Sequence, residues 1–156
     1  MIVFDVLGTP APKGSQRAFV NKRTGRAILS SFGSGKGEKR LRSWDADVRA
    51  QAHLSTGNTI ASGPIFVKRC LAVAIVFRLA RPSGHWSKKG GLLLSAPKRP
   101  SVKPDVDKLA RATLDALTGI VFDDDSRIVE LALHKTYAEP GREGARIVVR
   151  EWNANG

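Results

Sequence analysis

One cysteine, Cys70, stands in a chain of 156 residues. That excludes a disulfide scaffold and any site built on several thiolates. Because Cys70 lies in an apolar run, its thiol is expected to be buried and in a reducing compartment. The three histidines, His53, His85 and His134, share no zinc-ligand spacing with it or with one another. Long hydrophobic stretches are missing too. The longest, Cys70 to Phe77, is far short of the ~20 residues that cross a bilayer. Asp5 interrupts the apolar start of the chain, so no signal peptide and a cytoplasmic location are expected. The GSGKG at 33–37 lacks the earlier glycine, the following Ser or Thr and the preceding strand of a phosphate-binding loop. No calcium-loop pattern, Ser-His-Asp or Cys-His nucleophile arrangement, or internal repeat is present.

Acidic residues are scarce, 14 against 26 Lys and Arg, for a formal net charge of +12. Their distribution is uneven. Residues 101–126 hold three basic and six acidic side chains, so the remainder of the chain carries +15. A basic surface is the footprint of a polyanion binder. Aspartates gathered in that field repel each other and the polyanion unless a cation bridges them. A hard divalent ion with oxygen ligands touches carboxylates on one side and phosphate oxygens on the other. The charge pattern therefore points to metal-dependent chemistry on a nucleic-acid backbone.

The spacing within KPDVDKLARATLDALTGIVFDDDS (103–126) gives this a local shape. Val106, Leu109, Thr113, Ala116 and Leu117 recur at helical intervals, which predicts an amphipathic helix over 106–118. Asp105 is the expected N-cap and Gly119 the stop. Asp105 and Asp107 then sit at the positive end of the helix dipole, and the chain returns through 123–125 to supply a third carboxylate. Plain structural roles compete: an aspartate cap, a solvated turn, and an Asp107–Arg111–Asp115 salt-bridge row.

The rest of the chain reads as a strand over 1–8, a basic turn over 10–26 with a hairpin tip at Thr24–Gly25, and a Gly/Ser linker over 31–39. A helix follows over 38–56, with Trp44 in the core and His53 favouring its C-terminal end. Strands are expected over 64–80, 127–137 and 145–152, the last two joined by the turn EPGREG. That order predicts a single α+β domain over 1–156, a mixed sheet with two main helices on one face. Between strand and helix lies 81–104, read as a flexible basic loop with six Lys and Arg and one His. Loops of this length are usually functional. Lys98, Arg99 and Lys103 in it, and Lys13 and Arg17 in the basic turn, are the expected phosphate contacts. Trp86 covers a local apolar patch or stacks on a base, and Leu92, Leu93 and Leu94 offer material for a subunit interface.

The stretch 103–137 resembles the signature of the RusA family of Holliday junction endonucleases. That pattern runs Pro-Asp-x-Asp-Asn-x-x-Lys, Asp-Ala-Leu, a paired Asp-Asp, and a strand ending in Lys. Pro104, Asp105, Asp107, Asp115-Ala116-Leu117, Asp124-Asp125 and Lys135 match it, and VLGTPAPKGSQR resembles the family's opening strand and basic turn. The resemblance implies that Asp105, Asp107 and Asp125 bind metal, with Asp124 adding or orienting a ligand. It also implies a bacterial, prophage or phage origin. The family's Asn falls at Lys108 and its catalytic Lys at Arg111. Arginine keeps the charge but cannot readily give up a proton, so an electrostatic role is expected, shared among Arg111, Lys108 and Lys135.

The expected activity is Mg²⁺-dependent hydrolysis, with Mn²⁺ as a substitute, of phosphodiester bonds in four-way DNA junctions during recombination and repair. A junction has approximate two-fold symmetry and needs two opposed nicks, so a homodimer is expected. The rival readings are a flap or other branched-DNA nuclease and a catalytically inert nucleic-acid-binding module.

Overall fold

The computed structural model describes residues 1–14, 16–31, 35–57 and 62–153, with the side chains of 16–19 and 28–31 outside that description. The elements run β1 (Ile2–Leu7), β2 (Gln16–Val20), β3 (Ala27–Ser31), α1 (Lys36–Thr56), β4 (Leu71–Leu79), α2 (Val106–Leu117), β5 (Ile128–Tyr137) and β6 (Gly144–Glu151). Four strands form one sheet in the order β1-β6-β4-β5. Pairing is antiparallel for β1–β6 and β4–β6 and parallel for β4–β5. Parallel neighbours need a crossover, and α2 supplies it. The expected α+β domain, a mixed sheet with two helices, is what the chain forms.

β4 is apolar nearly throughout because it is central. Leu71, Val73, Ile75, Phe77 and Leu79 all point into the core. They meet Trp44, Val48 and Ala52 of α1 and Leu109, Thr113, Ala116 and Leu117 of α2. The two helices are joined by one buried polar contact. Trp44 Nε1 donates to Thr113 Oγ1 at 3.1 Å, and the Thr113 hydroxyl donates to the Leu109 carbonyl at 3.0 Å. Both groups would be costly to bury alone.

Several expectations shift in detail. The ladder of β4 begins at Leu71, not at 64. Lys68 has φ 52°, and its amide donates to Asp123 Oδ2. Phe66 bridges to Phe122 instead of joining the sheet. The stretch 64–70 thus peels away to meet the aspartate triplet. Cys70, expected to be buried, is exposed, because it precedes the covered part of the strand. α2 ends at Leu117, with Gly119 at φ 83° turning the chain. Of the linker over 31–39, Ser31 belongs to β3 and α1 starts at Lys36, while 32–34 lie outside the described residues. Within 81–104 the chain makes a 3-10 turn at Ser83–His85 and a Trp86–Leu92 bridge. Arg81 donates to the Pro97 carbonyl at 2.9 Å and lies over the Tyr137 ring.

Thr113→Val keeps the volume but strands the Trp44 N–H in the core. It is expected to cost about 1–3 kcal/mol by urea unfolding, and Trp44→Phe in the same chain should recover part of that loss.

Candidate active site

The first turn of α2 carries the paired aspartates. Asp105 occupies the N-cap with extended backbone (φ −70°, ψ 138°), but its side chain caps no amide. It pairs instead with Lys108 Nζ at 3.0 Å. Lys108 holds the Asp105 carboxyl below the ordinary aspartate value, and Lys103 and Lys135 add to the effect. Asp107, on the first helical turn, is exposed. Lys135 secures this end of the helix: its ammonium donates to the carbonyls of Val102 and Pro104 at 2.9 Å each.

The triplet at 123–125 is sorted by its partners. Asp123 is the anchor. Its amide donates to the Phe66 carbonyl, and Oδ2 accepts from the Lys68 amide at 3.3 Å and from Arg127 at 3.4 Å. Burial opposes the charge on Asp123, but the Lys68 amide and the Arg127 guanidinium outweigh it and hold the carboxyl below its usual value. Asp123 Oδ1 and Arg127 Nε are both buried without a protein partner; one is an acceptor and the other a donor. Asp124 caps the 3-10 turn Asp125–Arg127, its Oδ1 accepting from the Ser126 amide at 2.8 Å. Hydrogen bonds from Ser126, side chain and backbone, lower its pKa. Asp125 is left exposed.

These two groups of carboxylates do not meet within one chain. Lys135, near the end of β5, touches the lead-in to α2, whereas Asp125 immediately precedes the start of β5. Seven residues of strand separate Ile128 from Lys135, a rise of about 23 Å. Among the described residues no three His, Cys, Asp or Glu side chains gather closely enough to hold a metal ion. The donor chemistry suits a hard divalent cation, but within one chain the aspartates stand in two separate groups.

The cationic candidates also separate. Asp115 pairs with Lys13, not with Arg111, so the anticipated row along α2 is not made. Arg111 is exposed and forms no ion pair among the described residues. Lys98, Arg99 and Lys103 are exposed in the loop that leads to Asp105. Arg17 belongs to β2, but its side chain lies outside the described residues. A cleft of about 620 Å³ contains none of these residues; Asp5, Asp47, Arg78, Arg142 and Arg146 are among those that line it. There Asp5 already bridges Arg78 and Arg146.

Residues 10–150 match the family model described as endodeoxyribonuclease RusA. The chain belongs to the RusA family. It is thus related to endodeoxyribonucleases across nearly its whole length. The uncharacterized protein YqaN of Bacillus subtilis (strain 168) is similar to it, 28% identical over 153 residues, which is 98% of each chain. No helix among the described residues is long and apolar enough to cross a membrane. Within this RusA chain, the Lys68–Asp123–Arg127 anchor is a feature that sequence reasoning missed. Lys68 takes part through its backbone, and a side-chain pattern carries no signal for that.

The anchor has a pH signature. A lowered carboxyl pKa adds stability that is complete above the unfolded aspartate value of about 3.9. It is lost as pH falls from there through the folded value. Asp123→Asn is therefore expected to lower the urea midpoint at neutral pH, and the gap from wild type should close under strongly acidic conditions. A gap that persists unchanged in acid would show that the carboxylate charge is not what holds the anchor.

Proposed function

We propose that this protein is a divalent-metal-dependent endonuclease that resolves branched DNA, four-way junctions foremost, in recombination and repair, and that it works as a homodimer. The observation that carries the reading is the division of the carboxylates between the two ends of α2 and β5. β5 is an edge strand, and an open edge is a template for a second strand. Two β5 edges related by a two-fold axis run antiparallel. The start of one strand then arrives at the end of the other, bringing Asp125 of a second copy toward Asp105, Asp107 and Lys135. Val129 and Leu131, apolar and exposed by 56% and 43%, would lie near the axis.

In this reading Asp105, Asp107 and Asp125 would hold the cation, Mg²⁺ or Mn²⁺, with the second oxygen of Asp124 available beside them. A cation bound there lowers the pKa of the attacking water and neutralises the leaving oxyanion. The chain's own groups do the rest. Arg111 follows Asp107 by four residues, so both lie on one face of α2, and its unpaired guanidinium is suited to the charge that builds on phosphorus. Lys108 is engaged by Asp105, and Lys135 is engaged by two carbonyls; the latter therefore orients the lead-in to the site. Lys98, Arg99 and Lys103 draw the backbone in, and Lys13 joins them only by leaving Asp115, a surface pair worth about 0–1 kcal/mol. The 81–104 segment serves as the basic loop beside the site of a single RusA-like domain spanning 1–156.

Asp105→Asn, Asp107→Asn and Asp125→Asn should each abolish junction cleavage in Mg²⁺ while junction binding is retained. Mixing Asp105→Asn chains with Asp125→Asn chains is the sharper experiment. Each mixed dimer has one intact set of ligands, so the mixture should nick a labelled four-way junction without resolving it. No nicking from the mixture means that each site is built within one chain. Arg111→Ala should lose roughly 100-fold in rate, whereas Arg111→Lys should keep most activity; an Ala variant at full rate removes Arg111 from the mechanism.

A further inference from the structure

Between Asp5 and Glu38 the chain has no acidic residue and six basic ones, Lys13, Arg17, Lys22, Arg23, Arg26 and Lys36. The middle of this stretch folds as β2 and β3, a two-stranded ribbon not hydrogen-bonded to the main sheet. Its tip is defined by its own turn. The Asn21 amide donates to the Arg26 carbonyl at 2.9 Å, the Gly25 amide to the Asn21 carbonyl at 2.8 Å, and the Arg23 amide to Asn21 Oδ1 at 2.9 Å. Gly25, at φ 65°, permits the tight return. Lys22, Arg23 and Arg26 are exposed on this turn, and none forms an ion pair among the described residues. A two-stranded hairpin on its own is marginal in water, and three unpaired cations on one turn repel each other. A chain gains nothing in folding from that arrangement; a polyanion outside it would relieve the repulsion.

The root of the ribbon is held at the site. The Lys13 amide donates to the Lys108 carbonyl at 3.0 Å, and the Lys13 ammonium pairs with Asp115. The strands therefore leave from beside the helix turn that carries Asp105 and Asp107. Nine residues from Lys13 to Lys22 span at most about 30 Å, just under one helical turn of duplex DNA at about 34 Å. Asn21, the tip side chain best able to read a base edge, has its carbonyl oxygen occupied by the turn.

We propose that the β2–β3 tip grips a duplex DNA arm through phosphate contacts from Lys22, Arg23 and Arg26, within one helical turn of the bond that is cut. The inference builds on the nuclease reading, but its test is separate. The triple variant Lys22→Ala/Arg23→Ala/Arg26→Ala is compared with wild type for binding to plain duplexes of two unrelated sequences, about three turns long, across a salt series. The log–log slope should fall in magnitude by about 2–3, since each phosphate contact contributes about 0.9, and by the same amount on both sequences. An unchanged slope, or a loss confined to one sequence, overturns the proposal.

A second measurement does not depend on that variant. Thr24→Cys in a Cys70→Ser background, carrying tethered iron-EDTA, should cut a junction arm within one turn of the enzyme's own incision. Scission no greater than with untethered reagent would count against the contact. If wild type cuts no junction while the slope difference persists, the nuclease reading falls and the ribbon contact stands.

Discussion

The parallel pairing of β4 with β5 is the constraint from which the site geometry follows. A strand cannot turn back beside its neighbour in the same direction without crossing over, so the chain leaves β4 through 81–104, returns along α2, and enters β5. The helix therefore runs against the strand that follows it. Whatever stands before α2 is delivered to one end of the sheet, and whatever stands between α2 and β5 to the other. Asp105 and Asp107 belong to the first group, Asp123, Asp124 and Asp125 to the second. The separation of the carboxylates is a consequence of topology.

Electrostatics then assigns each acidic group a different task. In a chain with this excess of cations, most of the carboxylates between 105 and 125 find a nearby donor. Asp123 is taken by Lys68 and Arg127, Asp124 by Ser126, Asp115 by Lys13 and Asp105 by Lys108. Asp107 and Asp125 keep exposed side chains, one at each end of α2. The cations are sorted in the same way. Lys135 is consumed by backbone carbonyls, whereas Arg111 and the ribbon tip are not neutralised within the described residues. A surface ion pair is worth little, so the pairs made by Lys13 and Lys108 add little to stability. The anchor at Asp123 is different, since it joins the backbone of 64–70 to that of 123–127.

Much of this was legible in the sequence. The 3.6-residue period of Val106, Leu109, Thr113 and Leu117 requires a helix in any context that buries one face, and the apolar run of β4 requires a central strand. The hairpin at Thr24–Gly25 and the stop at Gly119 follow from the conformational freedom of glycine. The family could be read because its motif is a set of short spacings, and short spacings survive folding unchanged. The start of β4 at Leu71, by contrast, was not legible. It depends on the Lys68 amide meeting Asp123, two residues 55 positions apart.

By itself, then, the sequence determined the two helices, the four strands of the main sheet apart from the start of β4, the charge imbalance and the RusA signature, all of which arise from neighbours along the chain. It placed Asp105, Asp107 and Asp125 in one motif but not in one place. Only the tertiary structure decided which carboxylates are spent on amides, which cations are spent on carbonyls, and that Cys70 faces solvent. It also decided that Asp125 and Asp105 lie at opposite ends of β5. The reason is physical: strand order and direction set distances between residues remote in sequence, and no local pattern of side chains encodes them.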